Sequence, residues 1–276
     1  MVKENYPSAS IDIQAAEDLI QRAGFAAIVG RANVGKSTLL NSLLGQKLSI
    51  VTPKPHTTRH KLLGILSEEH FQIAFLDTPG YLSRARDSLD IAMSRQGATA
   101  LAEADVVVLV VEPRVLGEVE KLFIEQIRNL KKPAILAINK TDTVSKNKLL
   151  PVIDGYSKAY SFKDIVPVSA VEEDGLDVLV KSIESQMPEG ELIFPQDLLT
   201  DRTIPFMISE FIREKVYLHF DQEIPYYVAV EIDEYQERGE GQSDYIGAVI
   251  YVDRKSQRQM LIGHEGKALK EVGVQA

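Results

Sequence analysis

The chain contains no cysteine and no tryptophan, and it has no long apolar run. Without cysteine there can be no disulfide framework, no thiol nucleophile and no Cys-ligated zinc or iron–sulfur site. The longest purely apolar stretch, Val106 to Val111, is far short of the ~20 residues needed to span a bilayer. The first residues carry Lys3, Glu4, Asp12, Glu17 and Asp18 with no apolar core, so no secretory signal is visible. A cytoplasmic protein is expected. Excess positive charge is also missing: 31 Lys and Arg stand against 40 Asp and Glu, a net charge of −9, so any polyanion contact must come from a local patch. What remains is ordinary globular material, 45% apolar and 26% charged over 276 residues, enough for two domains.

The first part of the chain alternates short apolar runs (Phe25–Gly30, Leu62–Leu66, Phe71–Asp77, Asp105–Val111, Ala134–Asn139, Ile165–Ser169) with amphipathic stretches such as Leu116–Leu130 and Gly175–Met187. Near-continuous apolar strands alternating with helices predict an α/β fold, a mostly parallel six-stranded sheet. Only Ser67–His70 separate the second and third runs, so that pair must form a hairpin and one strand must be antiparallel. The rhythm stops near Met187, where Pro188, Gly190 and Pro195 mark a linker over 188–200. Beyond it the pattern predicts a helix over Ile204–Phe220 and strands over Tyr226–Ile232 and Tyr245–Val252, then short helices around a glycine pair, an α+β unit. The expected division is an N-terminal extension over 1–24, with a helical stretch at Ile11–Ala23, one domain over 25–187 and a second over 201–276.

Four motifs fall at strand ends of the first domain. Gly30-Arg31-Ala32-Asn33-Val34-Gly35-Lys36-Ser37 matches GxxxxGK[ST] and lies between an apolar strand and a helix beginning at Ser37-Thr38. Glycines let backbone N–H groups converge on phosphate oxygens, and the helix N-terminus adds its positive dipole end. Lys36 would reach the β- and γ-phosphates, and Ser37 would ligate Mg²⁺. Asp77-Thr78-Pro79-Gly80 follows the third strand, where Asp77 can hold Mg²⁺ through water and the Gly80 N–H can sense a γ-phosphate. Asn139-Lys140-Thr141-Asp142 places a carboxylate to accept from both guanine N1–H and the 2-amino group, while Asn139 and Lys140 brace the site. Val168-Ser169-Ala170 supplies a backbone N–H for the guanine oxygen. Between phosphate loop and hairpin, the segment 52–60 offers a threonine that would ligate Mg²⁺ only with the γ-phosphate present: Thr58, or its neighbour Thr57. Lys36, Thr58 and Gly80 are the candidate catalytic groups of a guanine-nucleotide switch.

These motifs, with TDR, FIREK and GxxG further on, resemble those of the bacterial Era GTPases, from about Phe25 to Gly273. The resemblance implies a P-loop GTPase domain followed by a type II KH domain, and a partner in small-subunit ribosomal RNA near its 3′ end, with assistance to small-subunit assembly. It further implies slow hydrolysis, since Tyr81 stands where many GTPases carry glutamine, and a K⁺ ion held by Asn33. Peripheral membrane contact at the inner membrane is known for the family, but no basic amphipathic helix here supports it. A monomer is expected.

In the second domain Gly263-His264-Glu265-Gly266 has the form of a loop that clamps a nucleic-acid backbone. Arg254, Lys255, Arg258, Lys267 and Lys270 surround it, against Glu265 as the sole acid between 254 and 270. The RNA-contacting set is these cations with Gly263, His264 and Gly266. Ala32 stands where the family usually has proline, a mild backbone change, and Glu265 puts a carboxylate in the clamp, which should weaken it. The chain ends at Ala276, so the KH unit is expected to be incomplete, lacking a third strand. Two other classes stay open on sequence: a GTPase acting in tRNA modification, and a GTP-dependent scaffold that does not hydrolyse, each with a protein-binding C-terminal module.

Overall fold

The computed structural model describes residues 21–54, 57–80, 88–221, 224–239 and 241–276. Among these, β1 (Arg22–Val29), β2 (Leu62–Ser67), β3 (Phe71–Asp77), β4 (Val106–Val111), β5 (Ala134–Ile138) and β6 (Asp164–Pro167) form one sheet in the order β2-β3-β1-β4-β5-β6. Only the β2–β3 pair is antiparallel, as the four-residue connection demands. Helices α1 (Lys36–Leu44), α2 (Ser88–Glu103), α3 (Glu118–Leu130), α4 (Lys146–Ala159) and α5 (Leu176–Glu184) complete the α/β unit.

Strand alternation splits the core in two. Ala26, Ile28, Val106, Val108, Ile135 and Ala137 face Leu39, Leu40 and Leu43 of α1 and Leu179 and Ile183 of α5. Their neighbours Ala27, Val29, Val107, Leu109, Leu136 and Ile138 face Phe123, Ile124 and Ile127 of α3 and Val152 and Tyr156 of α4. Successive strand side chains point to opposite faces, so a strand covered on both sides is apolar at every position. All residues of β4 are buried. Sheet order reverses direction around β1, and the loop leaving its C-terminal end opens into the crevice where α/β sheets take ligands.

Two expectations are corrected. Arg22 and Ala23 belong to β1 rather than to a helix, paired with Phe71 and Gln72 of β3; Gln21 is not helical either, and residues 11–20 of that stretch lie outside the described residues. The first strand of the second unit begins at Ala229, because Ile224–Tyr227, with Pro225, closes into a 3₁₀ turn. The linker segment is docked rather than free. Gln72, buried in β3, accepts from the Ile193 and Phe194 N–H groups and donates to Phe194 O, and Phe194 packs edge-on against Phe25.

The second unit contains α6 (Ile204–His219), β7 (Ala229–Gln236), β8 (Tyr245–Tyr251), α7 (Lys255–Ile262) and α8 (Lys267–Gln275). Thr203 caps α6, accepting from the Phe206 N–H. The antiparallel β7–β8 pair lays Val230 and Ile250 against Val216, Phe220, Leu261 and Val272, while alternate residues face solvent.

Candidate nucleotide and RNA sites

The phosphate loop takes its shape from close packing. Gly35 sits at φ 93°, and a Cβ there would lie 2.4 Å from the Asn139 Nδ2, so only glycine fits. Lys36 is 6% exposed, and its Nζ donates to Gly30 O (3.2 Å) and Arg31 O (2.8 Å). Burial pulls the ammonium down to about 8, with Asp77 acting in the opposite sense. A desolvated cation of this kind interacts strongly with incoming phosphate oxygens.

Asp77 is fully buried at the end of β3. Its Oδ2 accepts from Ser37 Oγ (2.9 Å) and Ser49 Oγ (3.0 Å), and Ser37 Oγ lies 2.9 Å from Thr58 Oγ1. Burial raises this carboxyl, while Lys36, the serine hydroxyls and the Thr78 N–H lower it. Its Oδ1 is buried without a hydrogen-bond partner among the described residues. An orphaned carboxylate oxygen beside two hydroxyls is the oxygen-rich set that Mg²⁺ takes, with phosphate oxygens and water filling the remaining positions. Ser37, Thr58 and Asp77 therefore fit the ion assigned to them from sequence. Thr57, the alternative, lines the same cavity, but its hydroxyl donates to Lys54 O and its carbonyl accepts from Arg213.

The guanine motif is held with equal care. Asn139, buried after β5, donates to Val34 O (2.9 Å) and accepts the Ala170 N–H (3.0 Å), tying phosphate loop to base loop. Lys140, at φ 65°, donates to Asn33 O (2.6 Å). Ser169 Oγ donates to the exposed Asp142 carboxylate at 2.6 Å and fixes its orientation. Ser169 and Ala170 thus contact Asp142 and Asn139 directly. Ala32, Asn33, Gly35, Lys36, Ser37, Thr38, Thr58, Gly80 and Lys140 line one cavity of about 360 Å³. Gly80 backs onto Ala32 of the phosphate loop. Tyr81 lies outside the described residues.

The loop holding Thr58 is fastened to the second unit, a feature that motif spacing does not reveal. Lys54 Nζ donates to Tyr217 O (2.7 Å), Phe220 O (2.5 Å) and Asp221 Oδ1 (3.1 Å), covering the open C-terminal carbonyls of α6. Arg59 donates to Val228 O, Tyr217 Oη, Pro225 O and Tyr226 O, all within 3.1 Å. Burial lowers its guanidinium from the ordinary arginine value. In return, buried Arg213 donates to Thr57 O (2.8 Å) while pairing with Glu210, and buried Glu214 accepts from Val51 N–H (2.9 Å) and Lys47. The one available signal was Arg213-Glu214 inside an otherwise amphipathic helix.

Around the second glycine loop, Gly263 ends α7 at φ 70°, and a Cβ there would meet Ala268 Cβ at 2.7 Å, so the helices close tightly about the loop. Arg254, Lys255, Arg258, Lys267 and Lys270 are all exposed. Glu265 is paired with Lys267 (3.1 Å) and lies 3.6 Å from His264, which offsets the repulsion its carboxylate would otherwise present.

Comparison with known proteins agrees with this geometry. Residues 25–140 match the model of a family described as 50S ribosome-binding GTPase, and residues 223–276 match the KH domain. The chain is 41% identical over 266 residues to GTPase Era of Marinobacter nauticus, covering 96% of this chain and 87% of that protein. GTPase Era of Pseudomonas aeruginosa is 40% identical over 256 residues, covering 92% and 83%. Among solved structures, Era in complex with MgGDPNP and nucleotides 1506–1542 of 16S ribosomal RNA superposes with a TM-score of 0.87 at 38% identity, covering 92% of this chain and 87% of that one. A tyrosine-to-alanine variant of Aquifex aeolicus Era bound to GDP and AlF4− matches equally, again at TM-score 0.87, 38% identity and the same coverage.

Proposed function

The chain belongs to the Era family of GTPases, and on that premise we propose that it is a GTP-hydrolysing switch that binds the 3′ region of 16S ribosomal RNA and assists assembly of the small ribosomal subunit. The observation that carries the reading is the convergence of the phosphate loop, the Thr58 loop, Gly80 and Lys140 on one cavity, with the buried Lys36 on its wall and the buried Asp77 carboxylate bonded to the lining residue Ser37.

Asp142, steadied by Ser169, selects guanine by accepting two N–H groups that adenine does not offer together. Lys36 leaves the carbonyls of Gly30 and Arg31 for β- and γ-phosphate oxygens, where its charge stabilises the transition state. Ser37 and Thr58, with Asp77 through water, would hold Mg²⁺, which would supply Lewis-acid charge on those oxygens. The Gly80 N–H meets the γ-phosphate, so loss of that group on hydrolysis releases both Gly80 and Thr58. Asn33 donates from its amide nitrogen to Pro53 O (2.9 Å), which leaves its side-chain oxygen as the group that would hold a K⁺ ion.

Because Thr58 lies between residues fastened to the second unit, its release alters the footing of that unit, which we take to be the RNA half, starting at 201 after a nucleotide half ending at 187. The patch over 254–270 and the Gly263–Gly266 loop grip the RNA backbone. The working form is a cytoplasmic monomer.

Titration of a labelled RNA from the 3′ end of 16S rRNA, with the full chain in GTP-analogue and GDP states, tests this reading. Tighter binding in the analogue state is the expected result, and equal affinity in both states removes the switch. Turnover that rises when Na⁺ is replaced by K⁺ is the expected behaviour of the Asn33 site.

A further inference from the structure

The phosphate loop is also held from outside the nucleotide cavity. Arg31 occupies a position on which the GxxxxGKS pattern makes no demand, and its Nη1 lies 3.7 Å from Oε1 of Glu120, in the first turn of α3. The same oxygen is 3.3 Å from Arg114 Nη2. Arg114 Nη1 is 3.4 Å from Glu112 Oε2, and Glu112 Oε1 is 2.6 Å from Lys140 Nζ. Lys140 donates to Asn33 O at 2.6 Å. A line of alternating charges therefore leaves the loop at the Arg31 side chain and returns to it at the Asn33 carbonyl.

Glu120 is the member most removed from water, its side chain 3% exposed. Burying a carboxylate is costly unless cations compensate, and its place in the first helical turn contributes only part of that compensation. Among the described residues its second oxygen, Oε2, has no hydrogen-bond partner, nor does the hydroxyl of fully buried Tyr156 in α4. Burial raises that phenol most, Glu120 adds to the rise, and Arg114 and Arg31 oppose it, so the four groups share one electrostatic environment. Space has been kept for the carboxylate too. Gly117 has φ −102°, open to any residue, yet a Cβ there would stand 2.6 Å from Glu120 Oε2. Any larger residue there would push the carboxylate from its present position.

We propose that Glu120 is a positioning residue of the nucleotide site: it holds Arg31 and, through Arg114 and Glu112, joins the phosphate loop to Lys140, so that its charge sets how slowly bound nucleotide leaves. This rests on the guanine-nucleotide reading. Retention of a fluorescent GDP by the wild-type chain, measured first, keeps the two claims separate.

Displacement of that GDP followed by stopped flow, with thermal denaturation in parallel, is the test. Glu120→Gln keeps the shape and removes the charge; GDP should leave about five- to tenfold faster, the scale of one or two partly buried ion pairs. Arg31→Ala, which removes a side chain that is 41% exposed, should accelerate release by a similar or smaller factor. The double variant should be no faster than the worse single one. Gly117→Ala should accelerate release without changing any charge, whereas Glu118→Gln on the same turn, an exposed surface pair with Lys121, should leave it unchanged. Release within twofold of wild type in both Glu120→Gln and Arg31→Ala, with only the melting temperature lowered, would overturn the proposal. Strictly additive effects in the double variant would do the same.

Discussion

The loop at Gly30–Ser37 and the loop at Gly263–Gly266 both run into a helix N-terminus and both rest on glycines at positive φ, yet they present charge to phosphate in opposite ways. In the first, Lys36 is stripped of water, pinned to backbone carbonyls and lowered to about 8. In the second, Lys267 is 75% exposed and paired with Glu265 beside it. A desolvated, preorganised cation gives strength that depends on geometry and little on salt. Solvated cations give an attraction that is spread over several residues, tolerant of single changes and eroded by salt. A compact triphosphate suits the first design, and a long flexible polyanion suits the second.

The sharpest way to break that contrast is Gly35→Ala. Its Cβ collides with Asn139 at a φ that alanine adopts poorly, so nucleotide affinity should fall by about 100-fold or more, the equivalent of ~3 kcal/mol. RNA affinity of the nucleotide-free protein should not move, and calorimetric titrations with GDP and with RNA measure both. Near-normal GDP binding would mean that the first loop is not preorganised after all.

Arg59→Ala addresses the connection between the two loops. Removing the guanidinium leaves the acceptors at Tyr217, Pro225, Tyr226 and Val228 without their donor, at a cost of about 2–4 kcal/mol. Chemical denaturation should register that loss, and the ratio of RNA affinities between GTP-analogue and GDP states should fall to about one. A ratio that survives would place the coupling elsewhere.

Lys267→Ala should weaken RNA binding only about three- to fivefold, and the slope of log affinity against log salt should decrease by roughly 0.7, the value for one single-strand phosphate contact. GDP affinity should be unchanged across the same salt series. A steep salt dependence of GDP binding, or a flat one for RNA, would erase the distinction. The smallest effect belongs to Glu265→Gln. Freeing Lys267 from its partner should improve RNA affinity about twofold at low salt and not at all at high salt, where such exposed pairs are screened.

Much of this molecule is legible in one dimension because its first half uses local rules. Val106–Val111 reads as a strand covered on both faces, and the interval Ser67–His70 is too short for anything but a hairpin. Lys36, Ser37, Asp77, Asn139 and Asp142 can be placed before any coordinates exist, since the strand before each motif dictates where its side chains emerge. Elements governed by competing signals were less readable. Arg22 and Ala23 continue a helix-like pattern but are taken by the edge of β3, and Pro225 delays the start of β7. Leu218 belongs to the apolar count of α6 yet is half-exposed, while Arg213 and Glu214 on the same helix are buried.

By itself, then, the amino-acid sequence determined the sheet, its single antiparallel strand, the nucleotide motifs and the basic glycine loop, because periodicity and spacing act over a few residues. Only the tertiary structure decided which cations are buried and against what. Lys54 and Arg59 meet acceptors more than 160 residues away, and Arg31 meets Glu120 from another element altogether. The energy of a charge depends on the solvent and partners around it, and those are set by how the helices and the two units dock, not by neighbours along the chain.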